Sequence, residues 1–161
     1  MSQATTTKGQ CLCGKVQVRL SRLLADRGAS PRPAIKVTVT ADKPLTSFDT
    51  LCCHCDSCKR RSGGVASYAF VVPEQRVSFH GSAHKTFEDR DTGSGKPMRR
   101  TMCAECGSPV CVIEADSPDM RCLQYGLFAG QVELPRPALE MFASKRVPWI
   151  NEVGEDVREM A

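Results

Sequence analysis

Apolar and polar residues alternate with a period of two along most of the chain. Val16, Val18 and Leu20 interleave with Lys15, Gln17 and Arg19, the pattern of a half-buried strand whose successive side chains point to opposite faces. The same reading predicts strands over Ala34–Thr40, Val65–Val72, Arg76–His80, His84–Glu88, Met98–Met102, Pro109–Glu114, Arg121–Phe128 and Ala138–Phe142. Gly and Pro break the pattern between them, at Arg27–Pro33 and Asp91–Pro97. A single helical turn is expected directly after Cys55, and the polar end Glu152–Met160 is the one longer stretch with a trace of helical period. No repeat or low-complexity tract is visible. These elements predict a mainly β fold of short antiparallel strands.

Composition narrows the class. The 161 residues are 41% hydrophobic and 25% charged, which suits one globular domain with a real core and leaves no room for a second of full size. The expected division is a flexible N-terminus (1–8), a folded domain (9–150) and a C-terminal tail (151–161). No apolar run reaches the ~18 residues of a membrane span, and Met1–Gly9 does not read as a signal peptide. The expected location is therefore the cytoplasm, where thiols stay reduced.

Ten cysteines then change the picture. Seven lie in three clusters, Cys11-Leu12-Cys13-Gly14, Cys53-His54-Cys55-Asp56-Ser57-Cys58 and Cys103-Ala104-Glu105-Cys106-Gly107, with the spacing of metal ligands. Cys103-x-x-Cys106-Gly107 has the form of a zinc knuckle, in which Gly relieves the tight turn. Four thiolates close a tetrahedral zinc site, whereas three leave a position for water or substrate. Spacing alone permits several partitions. Cys11 and Cys13 can join the knuckle, leaving Cys53, Cys55 and Cys58 open; or Cys55/Cys58 and Cys103/Cys106 can make one zinc ribbon with Cys11 and Cys13 spare. Cys52, Cys111 or Cys122 can supply a fourth ligand, and His54 can coordinate or turn outward or behind the ligands.

The formal charge of +4 counts cysteines as neutral. Four thiolates on one zinc and three on another bring it to about +1, so diffuse attraction to nucleic acid is weak. The dense basic spots, Lys59-Arg60-Arg61 and Arg99-Arg100, each adjoin a cysteine cluster, either as solvated faces or as local attraction for an anionic substrate.

The order Gly9-Gln10-Cys11-Leu12-Cys13-Gly14-Lys15-Val16, then Cys53 to Gly64, then Arg100-Thr101-Met102-Cys103-Ala104-Glu105-Cys106-Gly107-Ser108, resembles the glutathione-dependent formaldehyde-activating enzyme family, which includes centromere protein V. Ser94-Gly95, Gly126 and the closing Ser144-Lys145-Arg146-Val147-Pro148-Trp149 add to the resemblance, which spans Lys8 to Ile150. It departs at Met102, where an aromatic residue is usual, at an inserted Ala25–Ile35 loop, and at the extra thiol Cys52.

The resemblance implies a β-tent fold with two zinc ions. Cys11, Cys13, Cys103 and Cys106 would hold a structural zinc, and Cys53, Cys55 and Cys58 a catalytic one. The implied activity is carbon–sulfur lyase or synthase chemistry on a glutathione adduct of an aldehyde or other electrophile. Lys59, Arg60 and Arg61 are the candidate partners of glutathione carboxylates. Candidate proton-transfer groups are His54, beside the open site, and Asp56, Glu105 and Tyr125, with a surface or packing role as the alternative for each. Trp149 is expected to pack against the domain or a dimer mate. The expected partners are glutathione or its conjugate, a small electrophile and a second copy in a homodimer. Neither membrane nor nucleic acid is expected. A non-catalytic zinc module in a nucleic-acid- or protein-associated role, as in centromere protein V, is the alternative; the 6% aromatic content gives it little surface signal.

Overall fold

The alternating segments become strands of two sheets. The computed structural model describes residues 7–14, 16–19, 35–39, 44–80 and 83–160. The turn expected at Arg27–Pro33, nearly all of the Ala25–Ile35 loop and the first six residues lie outside them. In chain order the elements are β1 (Lys8–Gln10), β2 (Val16–Arg19), β3 (Ile35–Val39), β4 (Asp49–Cys53), α1 (Asp56–Ser62), β5 (Ser67–Pro73) and β6 (Val77–His80). Then follow β7 (His84–Asp89), β8 (Met98–Cys103), β9 (Pro109–Glu114), β10 (Met120–Gln124), β11 (Leu139–Met141) and β12 (Asp156–Arg158). One sheet runs β1-β2-β3-β6, the other β12-β11-β4-β5-β10-β9-β8-β7.

The protein is mainly β, with one α-helix among the described residues. The expectation of antiparallel strands needs a correction: β2–β3, β4–β11 and β11–β12 pair in parallel. Parallel neighbours need long crossovers, and β4 and β11 are separated by most of the domain. Two expected elements also differ. The strand over Arg121–Phe128 stops at Gln124, and Tyr125–Phe128 forms a 3-10 turn that buries Tyr125, Leu127 and Phe128. A strand would have sent alternate residues of that run outward. The tail is not helical: Gly154, a poor helix former, sits early in it with its N–H given to Glu140 Oε2, and β12 takes backbone bonds along β11. β4 was not expected as a strand. Among the described residues no helix is long and apolar enough to cross a membrane.

Alternation on β5 divides the interior. Phe70 and Val72 point to the main core with Leu45, Val110, Leu123, Leu127 and Phe128, where Phe70 meets Tyr125 at 4.4 Å and Phe128 edge-on at 5.5 Å between ring centroids. Each such ring, fully buried, contributes about 1.5–3 kcal/mol. Ala69 and Val71 belong to the opposite face, a smaller cluster with Val112, Cys122, Leu51 and Met98. The residues after β4, including α1, rise over that second face. It is there that the chemistry gathers.

Candidate functional site

The first and third cysteine clusters meet. Gly14 N–H donates to the Cys11 carbonyl at 2.9 Å, and Gly107 N–H to that of Cys103 at 3.0 Å, so each pair is presented from a tight turn. Both glycines need positive φ, 70° and 72°. The Leu12 N–H donates to Ser108 Oγ at 3.1 Å, tying the two turns together. The sulfurs of Cys11, Cys13, Cys103 and Cys106 all lie within 4.8 Å of one another, with Cys11–Cys13 at 3.4 Å and Cys13–Cys103 at 3.7 Å. A tetrahedral ZnS4 centre with ~2.3 Å bonds asks for sulfurs about 3.8 Å apart, so this donor set fits the ion. Burial works against thiolate at Cys106, but the Ser108 hydroxyl and N–H outweigh it and bring the thiol down to about 5.

The second cluster forms where β4 ends. Cys53 is the last residue of the strand, and Cys55 caps α1 by accepting the Cys58 N–H on its sulfur at 3.4 Å. One helical turn separates the cap from Cys58. The three sulfurs lie within 4.8 Å of one another and make a second group able to hold a metal. Hydrogen bonding among them divides the charge unevenly: the Cys53 thiol, and then that of Cys58, holds Cys55 far below the ordinary thiol range, while Cys53 itself is pushed up by Cys55 and Cys58.

No fourth protein donor joins that group among the described residues. Cys52 points to the other face of β4, with its sulfur 3.5 Å from His54 Nε2 and its thiol pushed up to about 11 by burial. Cys111 is in the main core, and Cys122, raised to about 12 by burial, belongs to the second face without joining the trio. The ribbon partition fails on the same geometry, since the knuckle is matched with Cys11 and Cys13 instead.

The three sulfurs line a cavity of about 230 Å³. Two arginines share it. Arg61 donates to Ser67 Oγ at 2.6 Å, and that hydroxyl donates to Gln124 Oε1 at 2.9 Å. Arg100, buried in β8, is held by Asp89 through Nε–Oδ2 at 2.6 Å. Arg61 Nε and Nη1 and Arg100 Nη1 are buried without a hydrogen-bond partner. Cationic donors left unpaired beside a thiol cluster offer bonds to an anion.

The other expected site residues are placed differently. Lys59 gives its ammonium to the Lys145 carbonyl at 2.6 Å, and Arg60 is exposed, so neither lines the cavity. Asp56 is exposed and 3.6 Å from Lys145 Nζ, and Glu105 is exposed on the knuckle. Tyr125 lines a separate cavity with Cys11, Tyr68 and Leu127. His54 does not turn outward and does not reach the cleft: it is fully buried, its Nε2 donating to Glu140 Oε1 at 2.9 Å and its Nδ1 unpartnered. Trp149, expected to pack against the domain or a dimer mate, does not pack against the domain and is 71% exposed on the single chain.

Asp89, Ser67, Gln124 and Glu140 escaped the sequence reading, and Arg100 entered it only as a charge spot. Glu140 carried one legible signal, a carboxylate inside the apolar run Ala138–Phe142. Its Oε1 also accepts from Arg146 at 2.7 Å, and its Oε2 from the N–H groups of Val153 and Gly154, both at 2.8 Å.

Residues 33–145 match the family model described as glutathione-dependent formaldehyde-activating enzyme. The match covers more than half of the chain and contains the trio and the knuckle; Cys11 and Cys13 precede it. No curated protein matches the chain.

Proposed function

Because the chain belongs to the glutathione-dependent formaldehyde-activating enzyme family, we propose that it is a zinc-dependent carbon–sulfur lyase or synthase, joining and parting glutathione sulfur and the carbonyl carbon of an aldehyde or other electrophilic metabolite. The observation that carries this reading is the three-sulfur group on a cleft with no fourth protein donor among the described residues. Cys53, Cys55 and Cys58 would hold zinc, which would supply Lewis acidity favouring thiolate over thiol at neutral pH.

In the cleavage direction the carbon–sulfur bond of an R–CH(OH)–S adduct breaks and its electron pair leaves with sulfur. The carbon–oxygen bond becomes the carbonyl, and the hydroxyl proton passes to solvent. Synthesis is the reverse, and nothing is oxidised or reduced. The unpartnered N–H groups of Arg61 and Arg100 offer charge-assisted bonds to a glutathione carboxylate or to the sulfur as it gains charge. Arg60, exposed on the same helix, is offered to the carboxylate that leaves the cleft. Asp89 keeps Arg100 oriented, and the Ser67–Gln124 pair does the same for Arg61. His54 acts from behind the ligand loop, held by Glu140. Cys11, Cys13, Cys103 and Cys106 take a second, structural zinc that staples the N-terminal turn to the β8–β9 turn. Reduced thiols throughout favour the cytoplasm.

Metal analysis of the purified protein tests the proposal. Two zinc ions per chain are expected, with Cys55→Ser retaining one and losing glutathione-dependent turnover. One zinc in the parent protein, or two in Cys55→Ser, would overturn it.

A further inference from the structure

The cleft beside the cysteine trio has more apolar lining than a one-carbon adduct can cover. Its floor is the second face of the large sheet, with Leu51, Ala69 and Val112, and its remaining apolar lining comes from Met98, Met141, Phe142 and Met160. The cavity measures about 230 Å³. Water gains few hydrogen bonds against such walls, whereas an apolar group released from water gains about 0.8 kcal/mol per methylene. Methionine adds adaptability, because its unbranched side chain reshapes around varied occupants. Three methionines from three separate segments line this one space.

Met160 is the distinctive member. It lies beyond the residues matched by the family model, which end at 145. β12 runs parallel to β11, bringing the chain end back over the second face, and Ser144 Oγ donates to the Met160 carbonyl at 3.0 Å. The residue is 43% exposed and lines the cleft. The tail thus adds a lining residue from outside the matched range.

We infer that this cleft takes glutathione conjugates whose sulfur carries an apolar group of several carbons, and that Met160 is a specificity-determining residue of its wall. The inference rests on the glutathione chemistry proposed above. Polar and apolar demands are then met together: the sulfur stays with the cysteine trio and the arginines, and the substituent covers Leu51, Ala69 and Val112.

The test uses zinc-loaded protein and two series. Calorimetry with S-methyl-, S-butyl- and S-hexylglutathione, which are stable thioethers, reads binding without turnover; adducts of glutathione with formaldehyde, butanal and hexanal read cleavage. Affinity is expected to rise about fourfold per methylene until the space is filled. Met160→Ala should lower that gain, and Met160→Gln, of similar length, should lower it further. A flat series, or tightest binding of the S-methyl compound, overturns the inference even if the formaldehyde adduct is cleaved. A rising series with no cleavage of any adduct overturns the lyase reading and leaves the apolar selection standing. Failure of every conjugate to bind overturns both, and an unchanged slope in both variants removes Met160 from the assignment.

Discussion

Glu140→Gln is expected to be among the most damaging single-atom exchanges in the protein. The carboxylate is fully buried and accepts four hydrogen bonds, from His54 and Arg146 on Oε1 and from the Val153 and Gly154 N–H groups on Oε2. A carboxamide keeps one acceptor oxygen and turns an NH2 group toward donors, whichever way it is flipped. If the oxygen stays with Arg146 and His54, two backbone N–H groups lose their partner; in the other orientation His54 and the half-buried Arg146 do. Each buried donor left unpaired costs about 1–3 kcal/mol, so two cost about 2–6 kcal/mol. In a chain of this length each kcal/mol lowers Tm by about 2–4 °C, so a fall of at least about 4 °C is expected for the zinc-loaded protein at pH 7. The pH profile adds a second signature. Burial alone would raise the Glu140 carboxyl, but the Gly154 N–H, Arg146, the Val153 N–H and His54 hold it at about 2, against an ordinary value of 4.5. Its folded value lies below its unfolded one, so its stabilisation is complete above the ordinary carboxylate range and is lost as pH falls toward 2. The parent should lose stability across that window more steeply than Glu140→Gln, which has nothing to titrate there. Thermal unfolding followed by circular dichroism reads both. A Tm change under about 2 °C, or parallel acid profiles, would refute the reasoning.

The remaining predictions concern the backbone, the arginines and the metal. Gly154→Ala places a Cβ 2.4 Å from Glu140 Cβ and 2.8 Å from its backbone N, an overpacking cost of about 1–3 kcal/mol readable as a lower urea midpoint. Asp89→Asn leaves the buried Arg100 without its carboxylate and should cost about 3–5 kcal/mol in the same assay, with the glutathione KM raised because Arg100 is no longer oriented. Arg61→Ala should raise the KM for glutathione by about tenfold or more, the worth of one charge-assisted bond; an unchanged KM would exclude Arg61 from binding. Chelation of the zinc should free the N-terminal turn from the knuckle, seen as faster amide hydrogen exchange in β1 and in Cys11–Gly14, while the β5 amides stay protected. Equal acceleration in both would show that the ion does not act as a local staple.

Several strands were legible from runs of β-branched and aromatic residues closed by turn residues. β5 is an example: Tyr68, Phe70, Val71 and Val72 run up to Pro73, with Phe70 and Val72 on one face and Ala69 and Val71 on the other. β4 gave no such signal, since Thr50, Cys52 and Cys53 are all buried and only Leu51 interrupts them. Residues covered on both sides carry no period for the eye to follow. β12 failed for the opposite reason. It is a short edge strand held by backbone bonds, to which side-chain pattern contributes little.

The same division runs through the site. Short-range chemistry is written in the chain: Cys103-x-x-Cys106-Gly107 and Cys53-x-Cys55-x-x-Cys58 specify metal-ligating turns, because chelation and a positive-φ glycine act over a few residues. Which turns share an ion is another matter, since Cys13 and Cys103 stand 90 residues apart and spacing also allowed a ribbon. Only the pairing order of the strands brings Cys11 and Cys13 to the knuckle and leaves the Cys53 group with three sulfurs. Arg100 beside that group, Glu140 behind His54 and Met160 over the cleft come from strands distant in sequence, and their partners are chosen by sheet topology. The sequence by itself determined the ligands and the strand-forming character of the chain, which are local properties; the tertiary structure decided the partition of the thiols and the shape of the cleft, because both depend on contacts whose register is set only when the whole sheet closes.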